Sequence, residues 1–115
     1  MLFRPRADLS EGDGQRLAGA FERALREIPS VRRAHVGKRI THGRDYEQLM
    51  RVDYQYAALI EFDDVDGLKA YLEHPAHEDI GTRFFASIED ALVYDFDVTG
   101  DAAGLAALAG RRTGG

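Results

Sequence analysis

The 115-residue chain contains no cysteine, which removes disulfides, thiolate nucleophiles, zinc–thiolate sites and cysteine-bound iron–sulfur clusters at once. Any chemistry must come from His, Tyr, Asp, Glu, Arg or Lys. Tryptophan is also absent, and proline occurs only at Pro5, Pro29 and Pro75, each of which reads as an element boundary. Basic excess is lacking as well: 15 Lys and Arg stand against 20 Asp and Glu, for a formal charge of −5. A surface that displaces phosphate counterions needs the opposite balance, so nucleic acid is not an expected partner. No hydrophobic run approaches the length of a membrane span, and Met1-Leu2-Phe3-Arg4-Pro5-Arg6 has no secretory apolar run. The expectation is a cytoplasmic protein with no membrane partner. Its length fits one domain with one modest core.

What is there is a regular alternation of strand and helix patterns. Residues 1–6 read as a short strand ended by Pro5, brief enough that further residues are expected upstream. Asp8 to Gly14 supply capping residues, after which Leu17, Phe21, Leu25 and Ile28 recur at helical spacing until Pro29. Glu22 and Arg26 lie four apart on the opposite side of that helix. Residues 31–41 fit a second strand, with Ala34, Val36 and Ile40 on one face. Residues 54–62 fit a third, with Tyr54, Tyr56, Ala58, Ile60 and Phe62 on one face and Ala57 and Leu59 on the other. Asp63 and Asp64 can cap a helix bearing Val65, Leu68 and Leu72, which Pro75 stops. A shorter helical piece over 78–87 and a last strand over 91–98 complete the order βαββαβ, an α+β ferredoxin-like sheet with helices on one face. Residues 1–99 form the expected domain, and 100–115 a flexible Ala- and Gly-rich tail with one weak turn around Leu105 and Leu108.

Two helices cover only one face of such a sheet. The strands are apolar on both faces, and large exposed apolar patches are uncommon on monomers. A homodimer whose sheets meet face to face, with the Tyr54, Ile60 or Leu92 side turned outward toward the partner, is the economical expectation.

The stretch Tyr71-Leu72-Glu73-His74-Pro75-Ala76-His77 packs a phenol and two imidazoles around a helix-interrupting proline. With Ala58-Leu59-Ile60-Glu61-Phe62 before it and Val93-Tyr94-Asp95-Phe96 after it, it resembles the stress-responsive dimeric α/β-barrel (Dabb) domains. That resemblance implies two ferredoxin-like chains closing into one barrel. It also extends distantly to the Dabb-type plant polyketide cyclases, which implies a general base at His77 and a hydrogen-bond donor at Tyr71. Two further histidines of those cyclases have no counterpart: Tyr56 stands where one would lie, and the chain begins too late to contain the other.

The residues themselves allow those roles. His77 follows Pro75 where a helical turn can begin, and the positive helix N-terminus favours a neutral imidazole; the plainer alternative is packing beside Phe84. Tyr71 lies on the flank of the apolar stripe, its hydroxyl able to reach a cavity or a backbone partner. A small apolar pocket bordered by Tyr71 and His77 and lined by Tyr56 and Phe84 is expected, taking a small apolar or carbonyl-containing ligand. Two alternatives are catalytic: a cofactor-free cyclase or isomerase using His77 and Tyr71, and a relative of the α/β-barrel monooxygenases. No cofactor is expected. No metal is expected either, because His-Pro-Ala-His cannot place both imidazoles on one helical face. His74 carries no expected chemistry, and His35 and His42 read as solvated positions.

Overall fold

A computed structural model describes residues 1–98, 100–106 and 108. Strand β1 (Leu2–Pro5) leads to helix α1 (Glu11–Glu27), strands β2 (Arg33–Lys38) and β3 (Tyr56–Glu61), helices α2 (Val65–Glu73) and α3 (Pro75–Ser87), and strand β4 (Ile88–Leu92). The sheet order is β2-β3-β1-β4 with every neighbouring pair antiparallel, which is the ferredoxin-like arrangement. Short 3-10 turns add Asp45–Leu49 and Ala102–Ala106. Of the expected flexible tail, residues 107 and 109–115 lie outside the described residues. No helix among the described residues is long and apolar enough to cross a membrane.

Local chemistry explains the helix ends. Ser10 caps α1 by accepting the Asp13 N–H at 3.1 Å, and Ile28 before Pro29 closes it in extended geometry. Asp64 caps α2 by accepting the Gly67 N–H at 2.8 Å, while Asp63 pairs with Arg32 at 3.1 Å. Pro75 does stop α2, but it also begins α3, where its missing N–H costs nothing at the first helical position. The second crossover is therefore two helices, the second longer than the expected 78–87 piece. It is α3 that packs along α1. Ala20 and Ala24, both buried, let the two helices approach, and with Ile28, Tyr71, Ala76 and Ile80 they form the core.

Three strand expectations need correction. The last strand is β4 over Ile88–Leu92 rather than 91–98, because β1 offers it only four residues and the register places Leu92 opposite Leu2 at the end of β1. Residues 93–98 continue beyond it without strand pairing. Second, Tyr54 precedes β3 and leaves its alternation, its hydroxyl donating to Asp90 Oδ1 at 3.2 Å. Third, Ile60 packs against the core beneath the helices, so the outward face carries Leu59 instead, with Leu2 and Leu92 as register partners nearby. All three leucines are exposed, Leu59 at 58%.

Candidate functional site

Tyr71 and His77 come together across the α2–α3 junction. Tyr71 belongs to the last turn of α2, and His77 to the first turn of α3, so the break at Pro75 folds one helix end back beside the next. The two rings meet edge to face with centroids 4.7 Å apart, and Phe62 of the segment after β3 also packs against Tyr71, tilted, at 5.1 Å. His74 holds the junction: it is the N-cap of α3, its Nδ1 accepting the Ala76 N–H at 3.0 Å. A histidine set aside by sequence reasoning thus caps the helix that carries His77 and fixes the junction between the two candidate residues. The signal was its position just before a proline, where N-caps of Pro-started helices fall.

Burial sets the electrostatics of the pair. Tyr71 is 6% exposed, and desolvation raises its pKa above the usual phenol value, so it stays a proton donor. His77 is half-buried; desolvation lowers its pKa from 6.5, only partly opposed by a hydrogen bond to the Leu72 backbone. The imidazole is neutral at pH 7. No group of the described residues bonds the Tyr71 hydroxyl. Ser30 Oγ is the buried side-chain atom without a partner among the described residues, so the unbonded Tyr71 hydroxyl still touches solvent. A neutral base and an available phenol donor therefore stand side by side at the edge of the core.

Tyr56 and Phe84 meet elsewhere, through Phe3. Phe3 of β1 stacks on Tyr56 at 5.7 Å and takes Phe84 edge-on at 5.7 Å, while Phe21 of α1 closes the group at 6.2 Å from Phe3. Sequence reasoning missed Phe3 as the hub, although it alternates with Leu2 and so had to face the opposite side of the sheet from that leucine. A hollow of about 340 Å³ lies on the open sheet face, over the row Gly37, Ala57 and Leu2, under Met50, Val52 and Tyr54. Tyr56 also lines it; Tyr71, His77 and Phe84 do not.

The other histidines have local partners. His42 Nε2 lies 2.7 Å from the Tyr46 hydroxyl, and the Glu47 carboxylate accepts the N–H groups of His42 and Gly43 at 2.9 and 2.7 Å. Those backbone bonds, led by that of His42, hold the Glu47 carboxyl below its usual pKa. Gly43 makes this turn with φ +86°, which a side chain would strain. His35 Nε2 lies 3.6 Å from Glu61 Oε2 on the open face. No three His, Asp or Glu side chains of the described residues gather as a metal site.

The fold has clear relatives. At3g17210 of Arabidopsis thaliana superposes with a TM-score of 0.70 at 21% identity, over 87% of this chain and 92% of that one. A dimeric ferredoxin-like protein of unknown function from Jannaschia sp. CCS1 gives 0.63 at 29% identity, over 84% and 93%. Another dimeric protein with a ferredoxin-like fold, from Bacteroides fragilis NCTC 9343, gives 0.55 at 27%, over 83% and 90%. No curated protein matches the chain. The model of the stress-responsive A/B barrel domain, Dabb, matches residues 1–98, all four strands and three helices, and to that family the chain belongs.

Proposed function

We propose that the protein is a homodimeric binding domain for a small apolar or carbonyl-containing molecule, addressed at its polar end by Tyr71 and His77. The observation that carries this reading is the Tyr71 hydroxyl, which is held in place by packing yet has no hydrogen-bond partner in the described chain. Buried tyrosines normally find one, and a ligand carbonyl is the acceptor that would complete it. The dimer is supported by the exposed Leu2, Leu59 and Leu92 on the open face and by the dimeric relatives.

Neutrality of His77 favours a second reading, as a cofactor-free cyclase or isomerase. In that reaction His77 takes the proton from the carbon alpha to a carbonyl, the C–H electron pair passes into the enolate, and the Tyr71 O–H donates to the enolate oxygen. The imidazolium then returns its proton to the product. Native mass spectrometry of the full chain tests the binding reading: a dimer retaining a small molecule is expected, and Tyr71→Phe should reduce its retention. Unchanged retention overturns the role of Tyr71. A screen over small β-keto thioesters and lactones tests the second reading, where His77→Ala should remove roughly two to four orders of magnitude of rate.

A further inference from the structure

The open sheet face extends past the end of β2. The Arg39 N–H donates to the Gln55 carbonyl at 2.8 Å, so strand parity puts Arg39 and Gln55 on the same face as Gly37 and Ala57, away from the helices. Gly37 has nothing within 4 Å of where a Cβ would stand, and with Ala57 it floors the hollow of about 340 Å³ that Met50 and Val52 overhang. A smaller hollow of about 160 Å³, lined by Thr41, Asp53 and Gln55, shares Arg39 and Lys38 with the first. Arg39 stands at their junction.

The two hollows differ in chemistry. No acid lines the larger one, and its wall is mostly apolar. The smaller one gathers hydrogen-bond donors. Arg39 spends Nη1 on Asp53 at 2.7 Å, while its Nε and Nη2 have no partner among the described residues, and neither do the Gln55 amide and the Thr41 hydroxyl. Glu47, whose charge Arg39 also feels, is taken up by the His42 and Gly43 N–H groups. The Arg39 side chain is 27% exposed, against 63% for Arg32 at the other end of β2, so its guanidinium lies against the protein rather than out in water.

We propose that these joined hollows are a second binding site, for a small apolar carboxylate. The hydrocarbon body lies on Gly37 and Ala57 beneath Met50 and Val52, and the carboxylate accepts hydrogen bonds from the spare Arg39 nitrogens, Gln55 and Thr41. An apolar enclosure with a few convergent polar groups at one end is what small-molecule sites are made of, and guanidinium bonds to carboxylate are among the stronger ones. The site does not depend on Tyr71 and His77, since Tyr71 belongs to the core on the helix side of the sheet. Nor does it need a partner, because one chain supplies every group. A second copy meeting this face at the usual spacing of about 10 Å would roof the hollow without filling it, as Gly37 and Ala57 bring too little side chain to cross that gap.

Titration calorimetry of the full chain with octanoate, and with octanol as its uncharged counterpart, tests the site. Octanoate should bind several-fold more tightly, and its advantage should shrink as sodium chloride is raised. Asp53→Asn removes the carboxylate that competes for Arg39, so it should tighten octanoate several-fold and leave octanol unmoved. A merely structural Arg39–Asp53 pair would give a loss instead. Gly37→Leu puts a side chain into the hollow where nothing stands against it, and should abolish binding of both probes. Equal affinity for the two probes, or an Asp53→Asn variant that binds octanoate no better than wild type, overturns the carboxylate site. Octanoate binding that survives Gly37→Leu overturns it too, because the probe then sits elsewhere, as at Tyr71 and His77. Absence of any binding does the same. Should Gly37→Leu fail to fold by circular dichroism, the direction of the Asp53→Asn change decides.

Discussion

At the scale of single residues, burial does at Tyr71 and His77 what a charged neighbour does in many sites: it sets which form of each group exists near neutral pH. For His77 the consequence extends to stability. Its folded pKa lies below the ordinary 6.5, so between those two values only the unfolded chain takes up the proton, and stability falls as pH drops through that window. Above 6.5 the neutral ring costs nothing in either state. Urea unfolding at pH 7.5 and 5.5 should therefore find a smaller acid loss in His77→Gln than in wild type. An identical loss would mean that the ring titrates as though solvated. Much of this pair was legible in advance, since a tyrosine at the flank of a helical stripe and a histidine after a proline have few places to go. The Phe3 hub was not, because two residues at the start of a chain carry too little periodicity to show which face they take.

At the scale of elements, the surprises come from the same two causes, a proline and a short partner. Periodicity located α1 and β3 because each runs long enough for its repeat to show. Pro75 reads as an end from one side only, although the same ring is suited to a first helical position, and α3 begins there. For β4, the charged Glu89 and Asp90 disguise a strand whose position is set by four residues of β1, while Val93, Tyr94, Phe96 and Val98 imitate one. The cap at this junction is testable. His74→Ala removes the acceptor for the Ala76 N–H, and a loss of about 0.5–2 kcal/mol is expected in denaturant unfolding, with His74→Asn keeping most of it. If alanine is as stable as wild type, Pro75 alone sets the start of α3.

In the molecule as a whole, one sheet face is buried under α1 and α3, and the other presents leucines to solvent. Strand parity makes the two faces separable by neighbouring residues of β3. Ile60 packs against the core, so Ile60→Asp places a carboxylate against apolar groups and should unfold the protein whether or not it dimerises. Leu59 points the other way, and its aspartate would remain hydrated in a monomer. Leu59→Asp should accordingly keep the helical circular dichroism of a folded chain at high dilution while abolishing the dimer, because a pair of sheets meeting face to face would bury two carboxylates opposite each other. Sedimentation velocity and thermal melting of the two variants side by side make the comparison. A folded dimer of Leu59→Asp would mean that the open face stays wet in the assembly, with its leucines serving neither the dimer nor a ligand.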